Sequence, residues 1–114
     1  MLRIYSLKSC DTCRKAIKAL EAAGQSLEIT DIRADGVPRE VLAGWLAKLG
    51  PEILVNIRST TWRGLGETDR ARAASVEGAL DLLLEHPTLM KRPVIVAGET
   101  VHVGWTKEVQ AALL

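Results

Sequence analysis

The stretch Ser9-Cys10-Asp11-Thr12-Cys13-Arg14-Lys15 contains both cysteines of the 114-residue chain. It follows a short apolar segment, residues 2–5, and leads into apolar residues spaced as on one face of a helix: Cys13, Ala16, Ile17 and Leu20. The pattern predicts a strand, a turn that holds Cys10, and a helix whose first turn contains Cys13.

The predicted position of Cys10 at a helix start favours ionisation of its thiol. Only a thiolate is a nucleophile, and a free cysteine with a pKa of about 8.5 is mostly protonated at neutral pH. The unpaired amides and the positive dipole end of a helix favour the anion. Nearby positive charge would come from Lys8, Arg14 and Lys15, with Asp11 opposing it. We therefore expect Cys10 to be the reactive sulfur, with Cys13 placed to attack a sulfur bonded to it.

Three other interpretations of the cysteine pair stay open. Both thiols can be small buried apolar residues, or they can form a structural disulfide, which would close a very short loop and constrain the unfolded chain little. A zinc site would need two further ligands, and the only histidines, His86 and His102, are remote from the pair in the sequence. We expect no metal site.

Composition limits the class of protein. Lys and Arg number 15 against 14 Asp and Glu, and a net charge of +1 gives no general footprint for nucleic acid or an anionic membrane. No segment approaches the roughly 20 apolar residues of a membrane span, and the start lacks the apolar run of a signal peptide. We expect a cytoplasmic monomer whose thiols are reduced at rest.

The rest of the chain predicts a mixed α/β sheet. Residues 27–32 alternate with period two, which gives a β-α-β unit with parallel strands. Residues 93–97 and 100–103 form a hairpin around Gly98-Glu99, and a short helix follows from Thr106, a candidate N-cap, to Leu114. We expect the inward residues of this last helix to be Val109, Ala112 and Leu113.

The middle of the chain is predicted to be mainly helical. Pro38 opens one helix, which ends at Gly50. Residues 52–57 are apolar and ambiguous, and residues 60–66 read as a loop or short helical turns. A further helical region ends at His86-Pro87. Its apolar stripe contains Val76, Ala79, Leu80, Leu83 and Leu84.

The order β-α-β, helices, β-β-α resembles the thioredoxin fold. Four segments are more specific and resemble the ArsC/Spx family: residues 10–16, Arg58-Ser59, His86-Pro87 and residues 91–96. The resemblance runs nearly end to end. It implies one thioredoxin-like domain over residues 1–114, with a four-stranded mixed sheet and a helical insertion at about residues 36–88.

The resemblance also implies the site residues. Cys10 matches the family's nucleophile, which in arsenate reductases attacks the oxyanion, and Arg58 and Arg92 match two arginines that stabilise the thiolate and hold oxyanion. Guanidinium groups and helix-start amides suit the several acceptors of a tetrahedral oxyanion. Pro93 would follow a cis peptide bond and line the site. The substrate-binding residues implied are Ser9, Asp11, Thr12, Arg92 and Pro93.

Two departures from arsenate reductases shape the expected function. Gly104 stands where these enzymes carry a third arginine, which places the chain closer to the reductase-like branch without it. Cys13 is not needed by enzymes whose resolving thiol is glutathione. The resemblance implies a reductase in which Cys10 attacks an oxyanion or a glutathione or other disulfide substrate, and Cys13 or glutathione resolves the intermediate.

The implied electron donor is glutathione or a redox protein partner, thioredoxin or glutaredoxin, with no bound cofactor. The alternative is an Spx-like transcriptional regulator with a Cys10–Cys13 switch. Spx proteins continue with a polar, basic segment beyond the final helix, and this sequence ends at Leu114.

Overall fold

The computed structural model describes all 114 residues, which divide into two compact units. The first unit contains residues 1–35 and 92–114, and the second contains residues 36–91. A single domain with a helical insertion stays a prediction.

In chain order the elements are β1 (Leu2–Ser6), α1 (Asp11–Ala22), β2 (Leu27–Asp31), α2 (Arg39–Leu49), α3 (Pro51–Leu54), α4 (Thr60–Arg63), α5 (Glu67–Arg72), α6 (Val76–Glu85), a 3₁₀ turn (Pro87–Leu89), β3 (Val94–Ala97), β4 (Thr100–Val103) and α7 (Lys107–Leu113).

A four-stranded mixed sheet in the order β2-β1-β3-β4 forms the centre of the first unit. β1 runs parallel to β2 and antiparallel to β3, and β3 pairs antiparallel with β4. Gly98 adopts a φ of +61° in the two-residue turn of the hairpin, a conformation that glycine reaches without steric cost. The predicted thioredoxin-like sheet is therefore confirmed.

Both helices of the first unit contribute to its core. α1 ends at Ala22, and Thr106 caps α7 as predicted by accepting a hydrogen bond from the Val109 amide at 3.2 Å. The prediction that Ala112 faces inward is wrong, because it is exposed. The buried apolar cluster consists of Leu2, Ile4, Ala16, Leu20, Ile95, Val109 and Leu113.

The second unit is helical, as predicted. The ambiguous residues 52–57 become the end of α3 and a single antiparallel bridge between Val55 and Met90, beside which the Lys91 amide donates to the Leu54 carbonyl at 2.8 Å. Part of the stripe predicted for α6 is wrong. Val76 and Leu84 are 43% and 36% exposed.

The buried face of α6 is broader than a single stripe because the helix contacts α2, α5 and the 3₁₀ turn. Its buried residues are Ala79, Leu80, Leu82 and Leu83. None of the chain's helices is both long and apolar enough to cross a membrane.

Candidate active site

Cys10 lies at the N-cap of α1, directly after the turn that leaves β1. Its amide donates to the Leu7 carbonyl at 2.9 Å, which closes the turn, and its sulfur accepts from the Cys13 amide at 3.4 Å. A side chain at the N-cap is placed to satisfy an unpaired amide of the first helical turn. The half-buried Cys10 sulfur therefore occupies the position that the sequence predicted for it.

Arg14 holds this turn together. Its Nη1 donates to the Lys8 carbonyl at 2.8 Å, and its Nη2 pairs with the carboxylate of Asp11. Because the guanidinium charge is paired with Asp11, the prediction that Arg14 supplies positive charge to Cys10 needs correction. Arg14 fixes the backbone around the sulfur.

Local hydrogen bonds and one arginine set the pKa of Cys10. Burial raises this pKa, but hydrogen bonds from the Cys13 side chain and backbone, and a hydrogen bond and positive charge from Arg92, outweigh it. The net result is a pKa below the ordinary thiol value, so the thiolate forms more readily than in a free cysteine.

Cys13 has the opposite character. It is only 1% exposed, and burial together with its hydrogen bond to Cys10 raises the pKa of its thiol to about 12. The Leu7 amide, which donates to the Cys13 sulfur, offsets only part of this rise. Both cysteines are free thiols. The two sulfurs thus form one accessible acidic thiol and one buried protonated thiol.

The Arg92-Pro93 segment brings a cation from the far end of the first unit to Cys10. The peptide bond between the two residues is cis, and Pro93 is buried immediately before β3. The side chain of Arg92 reaches the Cys10 sulfur as a hydrogen-bond donor. Cys10, Cys13 and Arg92 are therefore brought together within one unit, although Arg92 is about 80 positions from the two cysteines in the sequence.

Gly104 contacts the same segment through its backbone. Its amide donates to the Pro93 carbonyl at 2.8 Å, and its φ is +82°. An added Cβ would meet nothing closer than Cγ2 of Thr106 at 3.9 Å. A third arginine at this position would therefore be opposed by backbone conformation rather than by lack of space.

Arg58 belongs to the second unit. It is exposed, its amide donates to Oδ1 of Asn56 at 3.1 Å, and its carbonyl accepts from Nη2 of Arg63 at 3.2 Å. Its predicted role beside the thiolate stays a prediction. Arg58 lines a cavity of about 500 Å³ together with Glu52, Val55, Asn56, Ile57 and Lys91.

The remaining predicted site residues, Ser9, Asp11 and Thr12, are all exposed around Cys10. Sequence reasoning did not find a cleft of about 290 Å³ that is lined in part by Ser9 and lies between the turn before Cys10 and the end of β2. The sequence signal was Asp31 at the end of β2, because an aspartate carboxylate in a turn often accepts a hydrogen bond from a backbone amide about two positions later. The cleft is lined by Leu7, Lys8, Ser9, Asp31, Arg33 and Ala34.

Comparison with known proteins gives a family. Residues 5–113 match the ArsC family. An uncharacterized protein of Haemophilus influenzae is 39% identical over 113 residues, with 98% of each chain covered. The global transcriptional regulator Spx 2 of Lactococcus lactis is 28% identical over 116 residues, covering 100% of this chain and 86% of the regulator.

A solved structure, the YFFB protein, superposes with a TM-score of 0.92 at 33% identity and covers 100% of this chain and 99% of its own. Proteins related to arsenate reductase are also among the structural neighbours.

Proposed function

Because the chain belongs to the ArsC family, we propose that it is a thiol-dependent reductase whose nucleophile is the Cys10 sulfur. The observation that carries the proposal is the state of this sulfur: half-buried, at the N-cap of α1, with hydrogen bonds from Cys13 and Arg92 that hold its pKa below the ordinary value. A sulfur that is both accessible and partly ionised meets the two requirements of a thiol nucleophile.

With a disulfide substrate, the first step is thiol–disulfide exchange. The Cys10 thiolate attacks one sulfur, a bond between the two sulfurs forms, and the original disulfide bond breaks. The leaving sulfur departs as a thiolate and takes a proton from water. Glutathione can then attack the substrate sulfur of the mixed disulfide and release the Cys10 thiolate. Alternatively, Cys13 attacks the Cys10 sulfur, forms a Cys10–Cys13 disulfide and releases the substrate as a thiol, and external thiols then reduce the Cys10–Cys13 disulfide. The substrate gains two electrons, and the thiol donors lose two.

With an arsenate-like oxyanion, the Cys10 thiolate would displace a hydroxyl group and form a sulfur–arsenic bond. Attack of glutathione on that sulfur would form a Cys10–glutathione disulfide and leave the bonding electron pair on arsenic, which is thereby reduced from the +5 to the +3 state. A second thiol would then attack the glutathione sulfur of this disulfide and release the Cys10 thiolate. Arg92 supplies one guanidinium group for the oxyanion, and the predicted second is Arg58. Gly104 supplies no cation, so we expect disulfides to be better substrates than arsenate.

The raised pKa of Cys13 affects which thiol resolves the mixed disulfide. A buried thiol with a pKa of about 12 is almost fully protonated at neutral pH and attacks slowly. We therefore propose that glutathione, or a thioredoxin or glutaredoxin partner, regenerates Cys10 in most turnovers. In the reducing cytoplasm, such donors are present at rest.

The test is mass spectrometry of the full chain after exposure to glutathione disulfide, and separately to arsenate with glutathione. We expect a glutathionyl adduct on Cys10, its retention in Cys13→Ser, and loss of both adduct and turnover in Cys10→Ser. Cys13→Ser is the matched control, since it also removes one thiol. Full-rate turnover by Cys10→Ser would contradict the reductase proposal.

An Spx-like redox switch is the second candidate, supported by the similarity to Spx and by the direct hydrogen bond between the two cysteines. In this case an oxidant would join Cys10 and Cys13, and the disulfide would change the binding of a protein partner. A pull-down with reduced and oxidised protein tests the switch. Binding to a partner that depends on redox state, and is lost in both single serine variants, would favour it over the reductase.

A further inference from the structure

The cleft lined by Ser9, the residue before Cys10, has the size of a substrate subsite. Its volume of about 290 Å³ is at the low end of the range for small-molecule pockets, which suits one amino-acid-sized group. Ser9, in its lining, is bonded directly to Cys10, and the Cys10 amide is tied to the carbonyl of Leu7, another lining residue. One wall of the cleft is therefore the closed turn that immediately precedes Cys10.

Asp31 fixes the opposite wall of the cleft. Its Oδ1 accepts from the amides of Arg33 and Ala34, both at 2.9 Å, and its carboxylate also accepts from the Lys8 amide. The Ala34 amide above all, joined by the amides of Arg33 and Lys8, holds the pKa of Asp31 below its ordinary value. The carboxylate is thus ionised and is used to join the turn before Cys10 to the end of β2.

Two positively charged side chains in the lining of the cleft can contact a ligand. Lys8 and Arg33 line the cleft, and neither takes part in an ion pair within 4.0 Å, although the positive charge of Lys8 also helps to lower the pKa of Asp31. The nearby carboxylate of Asp35 accepts from the Asp31 amide at 3.1 Å. In contrast, the neighbouring Arg14 is paired with Asp11. The lining therefore carries two positive charges against the one negative charge of Asp31.

We propose that this cleft binds a carboxylate of a low-molecular-weight disulfide or thiol while its sulfur faces Cys10. The inference rests on the proposed reductase function and adds the substrate class. The guanidinium of Arg33 can take the carboxylate with two parallel hydrogen bonds, and Lys8 adds a point charge. Asp31 is a positioning residue, since its oxygens serve the backbone.

The experiment uses two disulfides that differ only in charge, 3,3′-dithiodipropionic acid and its diamide. The rate of Cys10 modification is measured for each by mass spectrometry and divided by the rate of the same disulfide with a free small thiol. We expect wild type to prefer the dicarboxylate. Exposed pairs of charges contribute about 0.2–1 kcal/mol, so Lys8→Gln and Arg33→Gln should each lower this preference up to about fivefold.

Arg3→Gln is the matched control, because Arg3 is an exposed cation on β1 outside the cleft. It should keep the wild-type preference, which excludes an effect of net charge. A second measurement follows the backbone amides of Lys8, Arg33 and Ala34 by NMR during titration with glutarate. Their signals should shift in wild type and shift less at the same glutarate concentration in Arg33→Gln.

Equal normalised rates for the two disulfides in wild type would overturn the subsite and leave the Cys10 nucleophile intact. The same holds for a preference that Arg3→Gln lowers as much as Arg33→Gln does. Failure of Cys10 to react with either disulfide is a different result, since it would reject the reductase function on which the subsite depends.

Discussion

Replacing Arg92 by alanine should raise the pKa of the Cys10 thiol, because Arg92 contributes both a hydrogen bond and positive charge to the sulfur. Hydrogen bonds to charged groups contribute about 1.5–3 kcal/mol, and one pKa unit corresponds to about 1.4 kcal/mol. Cys10 is only half-buried, and sulfur is a weak acceptor, so the lower end of the range applies. Loss of Arg92 should therefore destabilise the thiolate by about 1.5 kcal/mol and raise the pKa of Cys10.

The rise should have opposite effects on the reaction rate at low and high pH. Below both pKa values the variant has about tenfold less thiolate, but each thiolate is roughly threefold more nucleophilic, so the net rate falls about three- to fourfold. Above both values every Cys10 is ionised, and the variant should react about threefold faster than wild type. The two pH–rate profiles should therefore cross.

The assay is the rate of Cys10 modification by bis(2-hydroxyethyl) disulfide, a neutral reagent, followed by peptide mass spectrometry between about pH 5 and 10. Arg3→Ala serves as the control, because it removes a cation from the same unit without contact with the cysteines. A profile of Arg92→Ala that superposes on wild type would refute the assignment of Arg92 to the thiolate. A uniform slowing without crossing would indicate lost access rather than a changed pKa.

Three further predictions concern stability. The folded Cys13 thiol, with its pKa raised to about 12, keeps its proton at a pH where the unfolded thiol, near 8.5, has lost it. The free energy of unfolding in urea should therefore fall more steeply above about pH 8.5 in wild type than in Cys13→Ala, and equal slopes would contradict this. Gly104→Ala should lower the free energy of unfolding by about 1–2 kcal/mol, because alanine is strained at the φ of +82° that Gly104 adopts. Thr106→Ala removes the side chain that caps α7 and should lower the free energy of unfolding by about 0.5–2 kcal/mol. An unchanged denaturation midpoint would show that the cap does not contribute to stability.

The elements of the first unit could be predicted because local chemistry and the final structure agree there. Residues 2–6 and 27–31 are short apolar or alternating segments, and α1 begins where a side chain that can cap a helix precedes a helical stripe. The hairpin was predictable from Gly98, whose positive φ suits a two-residue turn. The position of Cys10 followed from these boundaries alone.

Other features depend on contacts that a linear pattern does not contain. The buried width of α6 is set by the three elements around it, so Leu82 is buried and Leu84 is not. Residues 52–57 were ambiguous because a single helical turn and a single bridge leave no period to detect. Arg92 was identified only through the family resemblance, since no local pattern indicates that it reaches Cys10. The cleft formed around Asp31 was missed, because its walls come from two separate turns.

The opposite pKa shifts of the two cysteines set the order in which they can act. The hydrogen bond and charge of Cys10 are two of the causes that raise the pKa of Cys13, and the thiol of Cys13 in turn lowers the pKa of Cys10. Once Cys10 is part of a mixed disulfide, its negative charge is gone, and burial is the main cause that still raises the pKa of Cys13. Cys13 should therefore become more acidic only after Cys10 has reacted. In the resting protein the Cys13 thiol donates a hydrogen bond that favours the Cys10 thiolate, whereas after Cys10 has reacted, burial still opposes ionisation of Cys13, in line with the proposal that an external thiol resolves most of the adduct.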